Sequence, residues 1–344
     1  MQKRIHYMDN LRAIAIVGVL LLHAATPYVV LYSKIDAVDW QTGIIYNALS
    51  RWCVPIFLMI SGALLLGRKE EPLMDFFKKR ANKILLPFIV WSLIYYAWAK
   101  YMWNPGYSVK EFLILFLNNK VYYHLWYFYA LIGIYLVVPV FNIFINHATR
   151  QMIGYIAGLW ILFYGGFRYY SYLISNDFTL FFPLSEYIGF VLLGYFLAEF
   201  ELSKKWRMLI YGMGIVGVIE TVVRTNALTS VQGQFTSYAF SYSSPNVIAM
   251  SIALFVFVKY RINKKAESGS YQTSRLIKII GHTSFGIYLV HAMVLDQVRP
   301  LFFEGSELFM KPIIAIPLQV FIVLLISTCI VWVVQKIPVI RKIV

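Results

Sequence analysis

Arg12 and His23 stand eleven residues apart in one apolar stretch. On an α-helix that separation is about 1100° of rotation, three turns plus roughly 20°, with a rise of about 16 Å. The two side chains therefore share a stripe, with a permanent cation at one end and an imidazole at the other. Histidine is the usual general base near neutral pH. Such a stripe suits a substrate whose anionic head meets the arginine and whose reactive group meets the histidine. A proton-coupled transporter could use the same pair. The blander readings are a snorkelling, interfacial Arg12 and a His23 that only makes a packed helix contact.

The next apolar stretch carries Arg51-Trp52-Cys53-Val54-Pro55. It joins a cation to a proline that frees backbone carbonyls, a combination suited to a lined cavity. Ser61 and Gly62 follow, small enough for close helix approach. His124, Trp126 and Tyr127 open a later stretch, where the two aromatics could equally be part of an interfacial belt. Glu186, Glu220, His291 and Asp296 fall at the same end of their own stretches. Ionisable groups inside a bilayer are costly unless paired or wetted, so each is a candidate functional residue. Titratable groups gather toward one side and cations toward the other.

These residues need long apolar elements to hold them. The chain is 60% hydrophobic and 14% charged, with mean hydropathy +0.66, well outside the range of soluble domains. Windows of roughly 20 residues predict about ten spans, near 11–31, 44–66, 83–103, 124–146, 151–173, 179–200, 207–223, 245–261, 278–296 and 312–335. The expected fold is all-α: one polytopic, membrane-embedded domain over residues 1–344. The gaps at 104–123 and 224–244 have room for a lid or a short interfacial helix. No internal repeat is evident. The first stretch is too long for a signal-peptide core and is expected to be a retained helix.

Net charge is +15, but the basic residues lie in separated loops and form no basic domain, which argues against a nucleic-acid partner. Twenty-one Lys and Arg fall in one alternate set of loops and eight in the other, with Arg12 and Arg51 inside spans. The positive-inside rule then puts both chain ends in the cytoplasm of a multi-pass protein. Cys53 and Cys329 lack the spacing of a metal site or a disulfide framework.

Several motifs, in order, resemble the integral-membrane acyltransferase type 3 family. They are Asp9-Asn10-Leu11-Arg12 with His23 after ten intervening residues, Arg51 to Phe57 with Ile60-Ser61-Gly62, Phe77 to Arg80 with Lys83, Ile84 and Pro87, Tyr123 to Phe128, and Gly281 to His291. The resemblance is to stand-alone members, without the fused esterase-like domain of some relatives. It implies transfer of an acetyl or other short acyl group from cytoplasmic acyl-CoA, usually acetyl-CoA, to a sugar hydroxyl. The acceptor would be a surface polysaccharide or a lipid-linked precursor at the bacterial plasma membrane. His23 would be the catalytic histidine, with Arg51 and His124 assisting at the thioester oxygen or the acceptor. Arg12, Lys79, Arg80 and Lys83 would hold the CoA phosphates; Trp126, Glu186 and His291 would bind the acceptor. No metal is expected, and a homo-oligomer is left open. The alternative is a transporter or flippase coupled to protons through the intramembrane histidines.

Overall fold

The computed structural model describes residues 6–69, 71–103, 106, 108–173, 186–268 and 272–344. Helix α1 (His6–Val30) is followed by α2 (Ala37–Ala48) and α3 (Cys53–Leu65). Next, α4 (Leu73–Arg80) runs through a π-helical turn (Ala81–Leu85) into α5 (Leu86–Trp103), and α6 (Val109–Leu117) precedes α7 (Trp126–His147). Then α8 (Arg150–Trp160) passes through a second π-helical stretch (Ile161–Gly166) into α9 (Phe167–Leu173). The last helices are α10 (Ile188–Glu199), α11 (Lys204–Gln232), α12 (Pro245–Glu267), α13 (Arg275–Val298) and α14 (Pro312–Lys336). Among the described residues the only strands form a two-residue hairpin, with Phe303 opposite Leu308 and Glu304 opposite Glu307.

The chain is thus an all-helical, polytopic membrane protein. Eight helical stretches among the described residues, one of them the α2–α3 pair and another the α4–α5 run, are long and apolar enough to cross a bilayer, and α10 is a shorter apolar helix. The α8–α9 run, expected as a full span over 151–173, is helical but lies outside those eight. Of the expected 179–200 span, residues 179–185 lie outside the described residues.

Three expected boundaries move, each for a physical reason. The 44–66 span begins at Ala37 and is broken between Ala48 and Cys53, so Arg51 sits in a gap between two half-helices. Pro55 does not make the break. It stands in the first turn of α3, where a missing N–H costs little. The 83–103 span begins at Leu73, which puts Lys78, Lys79, Arg80 and Lys83 on a helix and not in a loop. The 207–223 span continues to Gln232. Arg224 does not end it, because Glu220 pairs with its Nε at 2.7 Å and Ser244 and Asn246 accept from Nη2 at 2.9 and 2.7 Å. Thr221 and Thr225 return their hydroxyls to carbonyls one turn back. The 104–123 gap does contain a short helix, α6.

Helix directions follow from cross-contacts. Gly281 packs against the carbonyl of Asp9, while the rings of His291 and His23 meet ten and fourteen residues further on. Helices α1 and α13 therefore run side by side in the same direction. Helix α7 runs the other way. The carbonyl of His124, just before its start, accepts from Tyr288, and Asn142, near its end, donates to Leu65 O at 3.1 Å. Gly62 and Gly194 let α3 and α10 touch backbone to backbone, against Val191 and Met59. No side chain fits at either crossing.

Candidate active site

Three histidines from three elements meet at one end of this bundle. His23 comes from α1, His124 from the turn before α7, and His291 from α13. Ring centroids lie 5.3 Å apart for His23 and His291, and 5.1 Å for His124 and His291. His291 is therefore the middle member. His124 and His291 are 1% and 0% exposed, whereas His23 is partly open. His291 Nδ1 meets Tyr288 O at 2.6 Å. Among the described residues its Nε2, and both ring nitrogens of His124, have no hydrogen-bond partner. Buried polar atoms usually find a partner, so these nitrogens are positioned to meet a bound molecule.

A shell of tyrosines fixes the three rings. Tyr123 lies against His23 at 5.0 Å, and Tyr95 and Tyr288 lie against His124 at 4.7 and 5.4 Å. Tyr95 is anchored by its hydroxyl, which donates to Leu289 O at 2.6 Å. Among the described residues no group of three His, Cys, Asp or Glu side chains is arranged to hold a metal ion.

Arg51 is held from two sides. Asn47, fully buried one turn earlier, accepts from Nε at 2.7 Å and also from Nη2. Phe240 lies 4.1 Å beneath the guanidinium, and its carbonyl accepts from Nη1 at 3.4 Å. Asn47 is itself fixed, donating to Leu22 O and Thr26 Oγ1 at 3.3 and 3.2 Å. Leu22 precedes His23 directly, so Asn47 ties the arginine to the helix turn that carries the histidine. Sequence reading missed Asn47. Its signal was its place four residues before a buried arginine, the spacing of helical neighbours. Tyr288 was seen only as one position of the motif from Gly281 to His291, and Tyr95 and Phe240 gave no signal among so many aromatics.

Trp126 lies beside this cluster, its ring 5.5 Å from Tyr187 and 5.7 Å from Tyr242. Glu186 is half-buried next to Tyr187. Neither it nor Trp126 makes a ring contact or hydrogen bond with the three histidines.

At the other end of α7 lies a cavity of about 930 Å³ lined by Arg68, Lys69, Lys79, Arg80, Lys83 and Glu71, with Tyr135 and Asn142 on its inner wall. Among the described residues, five cations face one carboxylate. Glu71 bonds Lys79 Nζ at 2.5 Å and Arg80 Nη1 at 3.0 Å. The Lys79 hydrogen bond, with the charges of Lys79 and Arg80, holds its carboxyl below the usual carboxylate range. Arg80 also stacks on Phe76 at 4.0 Å. Three of the four expected phosphate-binding residues are thus brought together. Arg12 is not on this wall; it pairs with Asp9 at 3.4 Å. The π-helical turn at 81–85 carries Lys83 and shifts the register of the helix there, a device common at functional sites.

The structure therefore brings together His23, His124 and His291, with Arg51 nearby, and separately Lys79, Arg80 and Lys83. From Trp126 to Asn142 along α7 is about 24 Å, so the two groups lie at opposite ends of one bundle.

Compared with known proteins, the chain matches no curated protein and no solved structure. A family model described as an acyltransferase domain matches residues 5–336, a range that takes in both ends of the bundle. The protein is a multi-pass membrane enzyme that belongs to the acyltransferase type 3 family.

Proposed function

We propose that the chain is an O-acetyltransferase that moves an acetyl group from cytoplasmic acetyl-CoA to a hydroxyl of a surface polysaccharide or lipid-linked glycan. The observation that carries this reading is the division of the bundle into a cationic cavity at one end and an imidazole cluster at the other. A nucleotide donor bears its charge on phosphates, which lysine and arginine recognise. An acceptor hydroxyl needs a base. In the proposed reaction the hydroxyl oxygen attacks the thioester carbonyl, the carbon–sulfur bond breaks, and an ester forms. His23 takes the hydroxyl proton and returns it to the departing thiolate, so the free thiol of CoA is released. Arg51, aimed by Asn47 and Phe240, stabilises negative charge on the thioester oxygen in the transition state. His124 and His291 position the acceptor.

The charge distribution supports a bacterial plasma-membrane orientation with both chain ends inside. Single cysteines at Asp36 and Lys120 are then expected to react with an impermeant reagent in intact cells, and cysteines at Lys69 and Lys265 to be protected.

The test of the function is release of free thiol from acetyl-CoA by the purified protein, with the acetyl group recovered as an ester on glycan. Transport of solute without thiol release would replace this reading with the transporter.

A further inference from the structure

The corner where α10, α11 and α12 meet holds a cavity of about 610 Å³, lined by Glu201, Lys204, Arg207, Tyr260, Lys264 and Glu267. It lies at the same end of the bundle as the first cationic cavity, because Gly67, on the wall of that cavity, packs on Tyr195 near the close of α10. Glu201 is taken by Lys259, whose Nζ meets it at 2.9 Å. Among the described lining residues that leaves three cations against Glu267, and none of the three forms an ion pair. Arg207 is stacked on Tyr260 at 4.1 Å, and its buried Nε has no hydrogen-bond partner among the described residues. The Tyr260 hydroxyl accepts from Leu202 N at 2.5 Å, so the floor beneath the guanidinium is fixed.

Another cavity, of about 540 Å³, continues from this one along the exposed side of α11 and α12, and Met208 lines both. Its wall is apolar, carried by Ala249 and by Leu209, Met213 and Val216, the last three each more than half exposed. From Met208 to Val216 is about 12 Å, close to one leaflet's half of the roughly 30 Å hydrocarbon layer. Beyond them Glu220 closes the groove, its carboxylate committed to Arg224. Gly212 keeps the groove open, since a Cβ built there would meet nothing within 4 Å.

We propose that the two cavities form one site for an anionic phospholipid of the surrounding bilayer, with its phosphate among Lys204, Arg207 and Lys264 and an acyl chain along α11. The charge sets the headgroup. Three cations against one carboxylate favour a headgroup with net negative charge over a zwitterionic one, and each lysine or arginine near a membrane surface adds about fivefold to such binding. The unmet Nε of Arg207 calls for an acceptor, which a phosphate oxygen supplies. The groove sets the tail. A soluble phosphate would use the basic pocket alone, and an uncharged lipid the groove alone. A molecule with a negative head joined to an apolar tail at the depth of Met208 fills both. The site takes neither acyl donor nor acceptor, so it stands or falls independently of the transferase reading.

The test uses the full-length protein in phosphatidylcholine vesicles, with a trace of phosphatidylglycerol or phosphatidylcholine bearing the same photoactivatable acyl chain. Crosslinked peptides are mapped by mass spectrometry. Within residues 208–216, wild type is expected to be labelled at least tenfold more by the phosphatidylglycerol probe than by the phosphatidylcholine probe. Lys204→Gln combined with Lys264→Gln changes two exposed side chains and should bring that labelling down about tenfold, to the phosphatidylcholine level. Labelling of α14 around the exposed Phe321 should stay unchanged, which reports an intact fold. Gly212→Leu fills the groove without altering charge and should lower labelling of 208–216 by both probes about fivefold. Excess glycerol phosphate should displace neither probe. Equal labelling of wild type by the two probes, a preference that survives the double lysine change, or normal labelling of Gly212→Leu overturns the proposal. Displacement by glycerol phosphate overturns it in favour of a site for a soluble anion.

Discussion

The two ends of the bundle are built on opposite principles. At the histidine end the groups are few and closely packed: His124 and His291 are 1% and 0% exposed, only His23 is partly open, and the rings of Tyr95 and Tyr288 wedge the buried pair in place. At the cavity end the groups are many and long, with Lys79 60% exposed and Arg80 20%. Chemistry that moves a proton needs fixed geometry, because proton transfer falls off steeply with misplacement. Phosphate capture needs charge and reach more than fixed position, since counter-charge acts over several ångströms. The difference implies that damage at one end should alter turnover and damage at the other should alter donor affinity. It also implies different salt responses, because exposed charges are screened by salt and buried ones far less.

The largest effect is expected at His23. Replacing it with Ala should cut acetyl transfer by at least roughly a hundredfold, the lower range for loss of a general base. CoA affinity, measured by calorimetry on the same purified variant, should stay near wild type. A variant that turned over normally would remove the histidine end from the chemistry.

The complementary change is Arg80→Ala. Loss of a charge-assisted hydrogen bond to phosphate costs roughly 1.5–3 kcal/mol, so CoA binding should weaken by about tenfold or more. Turnover at saturating donor should change little. Arg80→Lys is expected to recover only part of the affinity, because an ammonium lacks the planar fork. High salt should narrow the gap between wild type and Arg80→Ala while leaving the His23 defect untouched. A fall in saturated turnover equal to the fall in affinity would erase the division between the two ends.

The sequence carried the polar landmarks of both ends and lost what lies between them. His23, Arg51, His124 and His291 were visible because each is an ionisable group in an apolar run, where the cost of burial makes chance occurrence rare. The basic cluster at 78–83 was visible as charge, yet it was read as a loop. The helix there continues from Leu73 through a π-helical turn, and hydropathy windows see apolar content but not helix. The 207–223 boundary failed for the converse reason, since a window counts Arg224 as a stop and cannot see Glu220, Ser244 and Asn246 satisfying it. The break at Arg51 was legible only in part. Pro55 hinted at a perturbed helix, but the gap lies before it, where Ser50 Oγ donates to Asn47 O at 2.8 Å and Arg51 leaves the helical path. Partners far apart in sequence, such as Phe240 under Arg51, had no local signal at all.

Asn47 sharpens the comparison from within the histidine end. Asn47→Ala leaves Arg51 without the acceptor for its Nε and Nη2. Transfer to glycan is expected to fall about tenfold, in keeping with loss of a hydrogen bond to a charged group, with CoA affinity unchanged. Asn47→Asp keeps that acceptor but sets an oxygen against Leu22 O and Thr26 Oγ1, which now accept from or contact the amide. It should therefore fail to rescue turnover. If Asn47→Asp matched wild type, the tie to the His23 turn would carry no function, and the acceptor at position 47 alone would suffice to orient Arg51.

The smallest effect is expected at Glu71, the one carboxylate among the described residues that line the cavity. The carboxylate pairs with Lys79 and Arg80, so an incoming phosphate competes with it for the same cations. Glu71→Gln removes the competitor and one negative charge, and CoA binding is expected to tighten by about two- to fivefold at low salt, within the range of exposed ion pairs. The gain should vanish in high salt. Its pH dependence is fixed by sign. Glu71 is held below the usual carboxylate range, chiefly by its hydrogen bond from Lys79. Its pairing is therefore complete at neutral pH and is lost only as pH falls through that lowered value. The difference between wild type and Glu71→Gln should accordingly be constant through the neutral and mildly acidic range, and close only in strong acid. Turnover at saturating donor should be the same in both. Weaker binding in Glu71→Gln would mean that the carboxylate aligns Lys79 and Arg80 for the donor, and the cavity would then share the fixed geometry of the histidine end.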